Sequence, residues 1–313
     1  MRIVFAGTPA VALPSLEAVA ARHEVVAVVT REDAPLGRKR VLTPSPVAQA
    51  AERLGLPVIK ANRLGDDVTE RIAALQPDLG VVVAYGGLVR EPLLSLPRLG
   101  WVNLHFSLLP RWRGAAPVQR AVIAGDAETG AAVFHLVPEL DAGDVYAELR
   151  RAIGPDETAG ELLSALAEEG AALLADIADA LAAGTAVATP QAGEVTLAPK
   201  LTLEDARLDL TEPAERVYAR LRGVTPEPGA FVLLDGERFK VHEARTTDGE
   251  EPVAPGAVEL RGKRVLVGTG TAPLELVTVQ PAGKRAMHAA DWLRGVASAS
   301  ASAAAGSTGV VFA

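Results

Sequence analysis

The sequence contains no cysteine. A chain without cysteine has no disulfide, no thiolate nucleophile and no metal site with cysteine ligands. Any catalysis must therefore use other side chains.

The chain also lacks a long uninterrupted hydrophobic run. Its longest apolar-rich stretch, residues 160–188, is interrupted by Glu161, Glu168, Glu169, Asp176 and Asp179. The centre of a bilayer accepts such charges only at high cost, so the stretch predicts a soluble helix. The first residues do not show the basic, apolar and small-residue order of a signal peptide. We therefore expect a cytoplasmic protein with no membrane partner.

An excess of positive charge is absent as well. The chain has 31 basic and 39 acidic side chains and a net charge of −8. This balance argues against a generally cationic coat for nucleic acid, but it leaves room for local basic patches. A length of 313 residues with 49% hydrophobic content excludes a disordered chain and favours two domains.

Short β-branched runs alternate with helical segments in the first part of the chain. Strand-like runs lie at 3–6, 25–30, 57–60, 79–84 and 101–106, and helical segments lie at 13–21 and 47–54. This rhythm predicts an α/β catalytic domain over residues 1–187, with a Rossmann-like, doubly wound and mainly parallel sheet. The turn after the first strand lacks the full Gly-x-Gly-x-x-Gly pattern, which counts against a dinucleotide oxidoreductase.

The pattern changes after residue 187. We expect a linker at 188–206, where small residues and Pro190 show no sustained period. A helical segment at 214–222 is followed by strand-like runs at 230–234, 238–242, 257–260, 264–267 and 274–279, the first two separated by Asp235-Gly236. These runs predict a small OB-like β-barrel over 207–296, with a two-layer sandwich as the alternative. We expect residues 297–313, rich in Ser, Ala and Gly, to be a disordered tail.

Polar side chains cluster in the strand-like run at 101–106. A period of two places Asn103, His105 and Ser107 on one face, and Pro110 marks the exit into a loop. Ligands of open α/β sheets bind beyond the carboxyl ends of strands, so this position suits a site. The same residues also suit a strand end where polar side chains merely satisfy backbone groups. This segment alone leaves both interpretations open.

A second polar cluster, at 139–144, contains Asp141 and Asp144 on either side of Gly143. With no other ligand cluster nearby and only five histidines in the chain, we expect no metal. A carboxylate facing His105 would stabilise an imidazolium, and Asn103 would supply an amide donor to an oxygen that gains negative charge. Together the three side chains suit an acyl-type transfer.

Several motifs occur in an order that resembles one enzyme family. They are Phe5-Ala6-Gly7-Thr8-Pro9, Asn103-Leu104-His105, Ser107-Leu108-Leu109-Pro110, Arg113-Gly114-Ala115-Ala116-Pro117, Asp141-Ala142-Gly143-Asp144 and Ala198-Pro199-Lys200. Together they resemble the folate-dependent formyltransferases, and the resemblance covers nearly the whole chain except the tail. It implies transfer of the formyl group of 10-formyltetrahydrofolate to the α-amino group of methionyl-initiator tRNA, with no metal and no obligate protein partner.

The resemblance also implies site residues. Asn103, His105 and Asp141 match the family's catalytic residues. The implied hypothesis is that Asn103 and a protonated His105 stabilise the oxyanion, while Asp141 keeps His105 charged and helps move protons. The segment Ser107, Leu108, Leu109 and Pro110 matches a folate-contact segment.

For tRNA, the resemblance points to Arg38, Lys39 and Arg40 in a loop that engages the acceptor end, and to the OB-like domain. By charge alone, a basic triplet is more often a solvated loop.

Two other functions compete with this hypothesis. A formyltransferase acting on glycinamide ribonucleotide or a sugar nucleotide would share the three catalytic residues but would not need the basic loop or the barrel. A non-catalytic RNA-binding module would leave Asn103, His105 and Asp141 without a purpose. Formylation of charged initiator tRNA explains the most residues.

Overall fold

The computed structural model describes residues 1–37, 39–299 and 307–313. The chain divides into two units. The first consists of Met1–Pro117, Glu128–Ala152 and Leu163–Pro199, and the second of Val118–Ala127, Ile153–Leu162 and Lys200–Ala313.

The first unit is built on a seven-stranded sheet. Its strands and those of two small side sheets are β1 (Arg2–Gly7), β2 (Glu24–Thr30), β3 (Ala34–Leu36), β4 (Val41–Thr43), β5 (Val58–Lys60), β6 (Leu79–Val83), β7 (Trp101–His105), β8 (Arg113–Gly114), β9 (Glu128–His135), β10 (Val145–Ala152) and β11 (Leu197–Ala198). The main sheet has the order β10-β9-β7-β6-β1-β2-β5. Five neighbouring strands from β5 to β7 are parallel, and β9 pairs antiparallel with both β7 and β10. This confirms the predicted Rossmann-like, mainly parallel sheet.

Helices cover a sheet whose central strands are buried. Every residue of β6 is buried, which is typical of a parallel strand that is covered on both faces of its sheet. The helices that precede the C-terminal antiparallel sheet in the chain are α1 (Leu13–Arg22), α2 (Pro46–Arg53), α3 (Asp66–Ala74), α4 (Pro117–Ala124) and α5 (Ala159–Ala183). Helix α2 begins where Pro46 follows Ser45, whose side chain accepts a hydrogen bond from the Ala48 N–H at 3.0 Å.

Strands β3 and β4 form a hairpin of their own, apart from the main sheet. Gly37 and Arg40 both have a positive φ in the turn that joins the two strands. Lys39 and Arg40 are exposed at its tip, whereas Arg38 lies outside the described residues. The sequence predicted a loop for the basic triplet, and the structure puts its described residues, Lys39 and Arg40, in the turn of the β3–β4 hairpin.

The second unit contains the antiparallel sheet. Its elements are α6 (Ala214–Gly223), β12 (Phe231–Leu234), β13 (Glu237–Thr246), β14 (Ala257–Arg261), β15 (Arg264–Val267), β16 (Leu274–Gln280), β17 (Met287–His288), α7 (Ala289–Ala299) and β18 (Ser307–Val311). The strand order is β12-β13-β16-β15-β14-β18, with β17 paired to β16. Asp235 and Gly236 have φ values of 53° and 80°, as the hairpin prediction at this dipeptide requires.

The sheet closes on itself. Ala313, which follows β18, exchanges two backbone hydrogen bonds with Leu233 of β12, at 2.8 and 2.9 Å. Phe312 is buried between Phe239 and Trp292, with ring centroids 4.9 and 5.8 Å away. The strands therefore form a barrel around one apolar core, in agreement with the predicted small C-terminal barrel.

The closing strand corrects one sequence-based expectation. Residues 297–313 were expected to be a disordered tail, but α7 continues to Ala299 and residues 307–313 form the last strand of the barrel. The Ser, Ala and Gly composition is misleading because backbone pairing and one buried aromatic side chain hold the segment. Residues 300–306 of that expectation lie outside the described residues.

The expected linker is also corrected in part. The last boundary between the units falls after Pro199, inside the expected linker of 188–206. Residues 188–199 belong to the first unit, and β11 pairs with β8 there. Backbone and side-chain hydrogen bonds hold this segment in place. It therefore does not need a periodic apolar face, and its sequence shows none. The second unit also takes in residues 118–127 and 153–162, which were expected to belong to a catalytic domain of 1–187.

No helix within the described ranges is long and apolar enough to cross a membrane.

Candidate active site

The site lies at the carboxyl end of β7. Asn103 and His105 project from the same face of this strand, as the period of two predicted. Within the part of the chain that the structure describes, the Asn103 carboxamide has no hydrogen-bond partner, and it lines a cavity. It is therefore available to a bound molecule.

The cavity next to Asn103 has a volume of about 390 Å³. The residues around it come from the ends of β6 and β7 and from two loops: Val82, Gly87, Leu88, Val89, Arg90, Glu91, Leu94, Asn103, Leu136, Val137, Pro138, Glu139, Leu140 and Asp141. Asn103 and Asp141 thus face the same space, which lies in the size range of small-molecule sites.

His105 is buried, with an exposed fraction of 6%. Its Nε2–H donates to the carbonyl of Trp112 at 2.9 Å, and its Nδ1 lies 3.9 Å from Oδ2 of Asp141. Burial lowers the pKa of His105, while the Asp141 charge and the Trp112 carbonyl act in the opposite direction without outweighing it. The neutral imidazole is therefore favoured near pH 7, with the proton on Nε2 and an unprotonated Nδ1 towards Asp141.

Asp141 is held by its own backbone and by a neighbouring loop. Its φ of 47° lies in the left-handed region, which aspartate adopts more readily than most residues. Its Oδ2 accepts a hydrogen bond from the Gly114 N–H at 2.8 Å. Gly114 has a φ of 127°, and a Cβ there would lie 2.7 Å from the carbonyl oxygen of Ala198. Only glycine fits at this close approach, and its N–H fixes the carboxylate near His105.

The structure thus brings together the three residues that the sequence selected as catalytic. An amide donor, a neutral imidazole and a carboxylate lie at one end of β7. Such a set supports addition of a nucleophile to a carbonyl carbon, with a donor for the oxyanion and a group that takes up a proton.

The predicted folate-contact segment lies elsewhere. Ser107 is fully buried, and its hydroxyl donates to the carbonyl of Arg111 at 2.6 Å. Leu109 and Pro110 are also buried, and neither they nor Ser107 and Leu108 line the cavity. Contacts of this segment with a folate stay a prediction.

The cavity walls at 87–91 and 136–138 were not selected from the sequence, whereas Glu139 and Leu140 belong to the polar cluster at 139–144. One signal was present: Tyr85-Gly86-Gly87 directly follows a predicted buried strand, and loops at that end of a parallel strand line ligand sites. Among the described residues, no group of three or more His, Asp or Glu side chains is placed to hold a metal ion.

The basic side chains differ in how accessible they are. At the hairpin, Lys39 and Arg40 are exposed together with the apolar Leu36, Val41 and Leu42. In the second unit, Arg222 donates to the carbonyls of Gly154 and Glu157, so it supports the fold. The exposed cations there include Lys263, Lys284 and Arg285.

Comparison with known families matches almost the whole chain. A family model described as formyl transferase matches residues 1–177, and one described as formyl transferase, C-terminal domain, matches residues 200–297. A methionyl-tRNA formyltransferase of Leifsonia xyli subsp. xyli is 74% identical over 295 residues, covering 94% of this chain and 97% of the relative. One of Arthrobacter sp. is 57% identical over 296 residues, covering 94% and 97%.

Solved structures share the fold at low sequence identity. An N-formyltransferase from Helicobacter canadensis, in complex with folinic acid and dTDP-3-aminofucose, has a TM-score of 0.67 at 14% identity, covering 88% of this chain and 98% of that one. A methionyl-tRNA formyltransferase from Clostridium thermocellum has a TM-score of 0.56 at 16% identity, covering 80% and 95%.

Proposed function

The chain belongs to the formyl transferase family, and from that premise we propose that it transfers the formyl group of 10-formyltetrahydrofolate to the α-amino group of methionyl-initiator tRNA. The observation that carries the proposal is the junction of Asn103, His105 and Asp141 beside one cavity. The acceptor is supported by the similarity to relatives named methionyl-tRNA formyltransferase along 94% of the chain.

Asn103 acts on the carbonyl oxygen. The amine nitrogen of methionine adds to the formyl carbon, and the carbonyl oxygen becomes an oxyanion. The C–N bond to the folate then breaks, which leaves the formyl group on the methionine nitrogen. The carboxamide of Asn103 donates to the oxyanion, a contribution typically worth ~3–4 kcal/mol.

His105 and Asp141 handle the proton. Because burial favours the neutral imidazole, His105 starts the reaction uncharged, which differs from the protonated His105 that the resemblance implied. Nδ1 takes the proton that the amine loses, and the resulting imidazolium faces the Asp141 carboxylate at 3.9 Å. His105 then gives the same proton to the departing folate nitrogen, so the reaction needs no other acid.

The cavity of about 390 Å³ is the place for the formyl donor. Apolar side chains such as Leu88, Val89 and Leu94 suit the faces of an aromatic ring system, and Asn103 and Asp141 face the reacting end. The low-identity neighbour that was solved with folinic acid has the same fold.

The β3–β4 hairpin is the proposed contact for the acceptor end of the tRNA. Lys39 and Arg40 supply charge for phosphates, and Leu36, Val41 and Leu42, exposed by 66, 59 and 67%, supply apolar surface for bases.

The proposed activity also bears on location. Because charged tRNA is used in translation, we expect the protein in the cytoplasm.

The test supplies 10-formyltetrahydrofolate with one acceptor at a time: methionyl-initiator tRNA, methionyl-elongator tRNA, glycinamide ribonucleotide or an amino-sugar nucleotide. We expect efficient formylation of the initiator alone. A preference for a small acceptor would refute the tRNA assignment while retaining formyl transfer.

Asn103→Ala tests the catalytic assignment in the same assay. We expect kcat to fall by ~10²–10³-fold with an unchanged melting temperature, because the carboxamide has no partner within the described residues. Near-normal turnover would remove Asn103 from the mechanism.

A further inference from the structure

The loop that carries Asp141 is held by a residue from the expected linker. Gln191 donates its two side-chain N–H groups to the carbonyls of Asp141 and Gly143, both at 2.8 Å. Its Oε1 accepts hydrogen bonds from Nε and Nη2 of Arg113, at 3.1 and 2.6 Å. The carboxamide therefore uses both donors and accepts twice, and it joins two loops of the site.

No close substitute for glutamine can make the same contacts. Glutamate has the same length but no donors, so its carboxylate would meet two carbonyl oxygens. Asparagine has the amide but lacks one methylene, and alanine has neither. The contacts thus depend on the amide and on the side-chain length together.

The segment around Gln191, residues 189–198, is attached on both sides of the site. Thr189 exchanges two backbone hydrogen bonds with Val145, at 2.8 and 2.9 Å, just beyond the Asp141 loop. At the other end, the Thr196 hydroxyl accepts from the Trp112 N–H at 2.9 Å, and β11 pairs with β8. We call residues 189–198 the strap.

The strap contacts the residues that hold His105 and Asp141 in place. Trp112 supplies the carbonyl that accepts from His105, and Gly114 supplies the N–H that binds Asp141. The Asp141 backbone itself has a left-handed φ of 47°, a conformation that neighbouring contacts must maintain. Gln191 is the side chain that binds the carbonyl of this residue.

We propose that Gln191 is a positioning residue, which fixes the backbone of the Asp141 loop so that the Asp141 carboxylate stays opposite Nδ1 of His105. This role rests on the proposed formyl transfer. A misplacement of about 1 Å in a catalytic group costs up to ~10²-fold in rate, so loss of these contacts affects kcat. It leaves KM for both substrates nearly unchanged, because Gln191 does not line the cavity.

The experiment compares Gln191→Ala and Gln191→Glu with Glu194→Ala, a control for an exposed side chain of the same strap. We expect both Gln191 variants to lower kcat by roughly 10- to 100-fold with each KM within about twofold. The control should match the unsubstituted protein. A kcat within twofold of the unsubstituted protein in Gln191→Ala would overturn the proposal.

A double-variant cycle separates positioning from general loosening of the fold. If Gln191 acts through Asp141, adding Gln191→Ala to Asp141→Asn lowers kcat no further, because the carboxylate being positioned is already gone. Multiplicative losses in the double variant would refute the proposal.

A measurement independent of turnover distinguishes this proposal from the proposed function. In an NMR titration, Gln191→Ala should shift the His105 pKa downwards, towards its value in Asp141→Asn. An unchanged His105 pKa refutes positioning even if the protein formylates tRNA. If the unsubstituted protein formylates no acceptor while the His105 shift occurs, the proposed function fails and the positioning role stands.

Discussion

Replacement of Asp141 by Asn isolates the effect of one charge. Asparagine tolerates the left-handed φ of 47° found here and has nearly the same shape, so the loop should keep its conformation. The lost attraction between the carboxylate and an imidazolium 3.9 Å away is about 4 kcal/mol at an effective dielectric constant of ~20. At 1.36 kcal/mol per factor of ten, this is an upper limit of ~10³ in rate.

The assay is single-turnover formylation of methionyl-initiator tRNA with saturating donor. We expect Asp141→Asn to react ~10²–10³-fold more slowly. Asp144→Asn, which removes an exposed carboxylate from the same loop, is the matched control and should react nearly as fast as the unsubstituted protein. The His105 pKa should fall further in Asp141→Asn, because the Asp141 charge raises it. A rate within threefold of the unsubstituted protein, with the fold intact, would refute the assigned role of this charge.

Three further predictions concern pH, stability and RNA. Burial lowers the pKa of His105, so its protonation should reduce kcat only as the pH falls below about 6.5; an NMR titration that finds His105 protonating above 6.5 would contradict a neutral base. Phe312→Ala should destabilise the second unit by ~3–5 kcal/mol in urea unfolding and the exposed Val311→Ala by less than ~1 kcal/mol, so equal losses would contradict the barrel closure. Replacing Lys39 and Arg40 by Ala should raise KM for tRNA at constant kcat and reduce the salt dependence by about one unit per lost phosphate contact; an unchanged KM would exclude the hairpin.

The sheet and the face of β7 could be predicted because hydrophobic periodicity encodes them directly. The strands predicted at 25–30 and 79–84 agree with β2 and β6 of the structure, and the period of two correctly placed Asn103 and His105 on one face. The position of Asp141 opposite His105 is not periodic. It depends on a left-handed backbone and on the Gly114 N–H, which lies 27 positions away in the sequence. The polar cluster at 139–144 suggested a carboxylate opposite His105, and the family resemblance selected Asp141 from that cluster.

Two segments escaped prediction for a common reason. The strap and the closing strand are held mainly by backbone hydrogen bonds, which any sequence can make, and each has one informative side chain. Gln191 in the strap looks like an ordinary polar linker residue. Phe312 follows a run rich in Ser, Ala and Gly, and the composition of that run gave no sign that Phe312 is buried in the core.

The seam of the barrel has a consequence for how the chain folds during synthesis. Strand β18 is translated after every strand that it pairs with. Leu233 therefore lacks its hydrogen-bond partner, Ala313, until the rest of the barrel has been synthesised. Until then, β14 and the part of β12 beyond Phe231 each expose an unpaired edge that can pair with another chain. Ribosomal products that stop before residue 307 should therefore keep both edges open, which makes them substrates for chaperones and proteases even though six of the seven barrel strands are present.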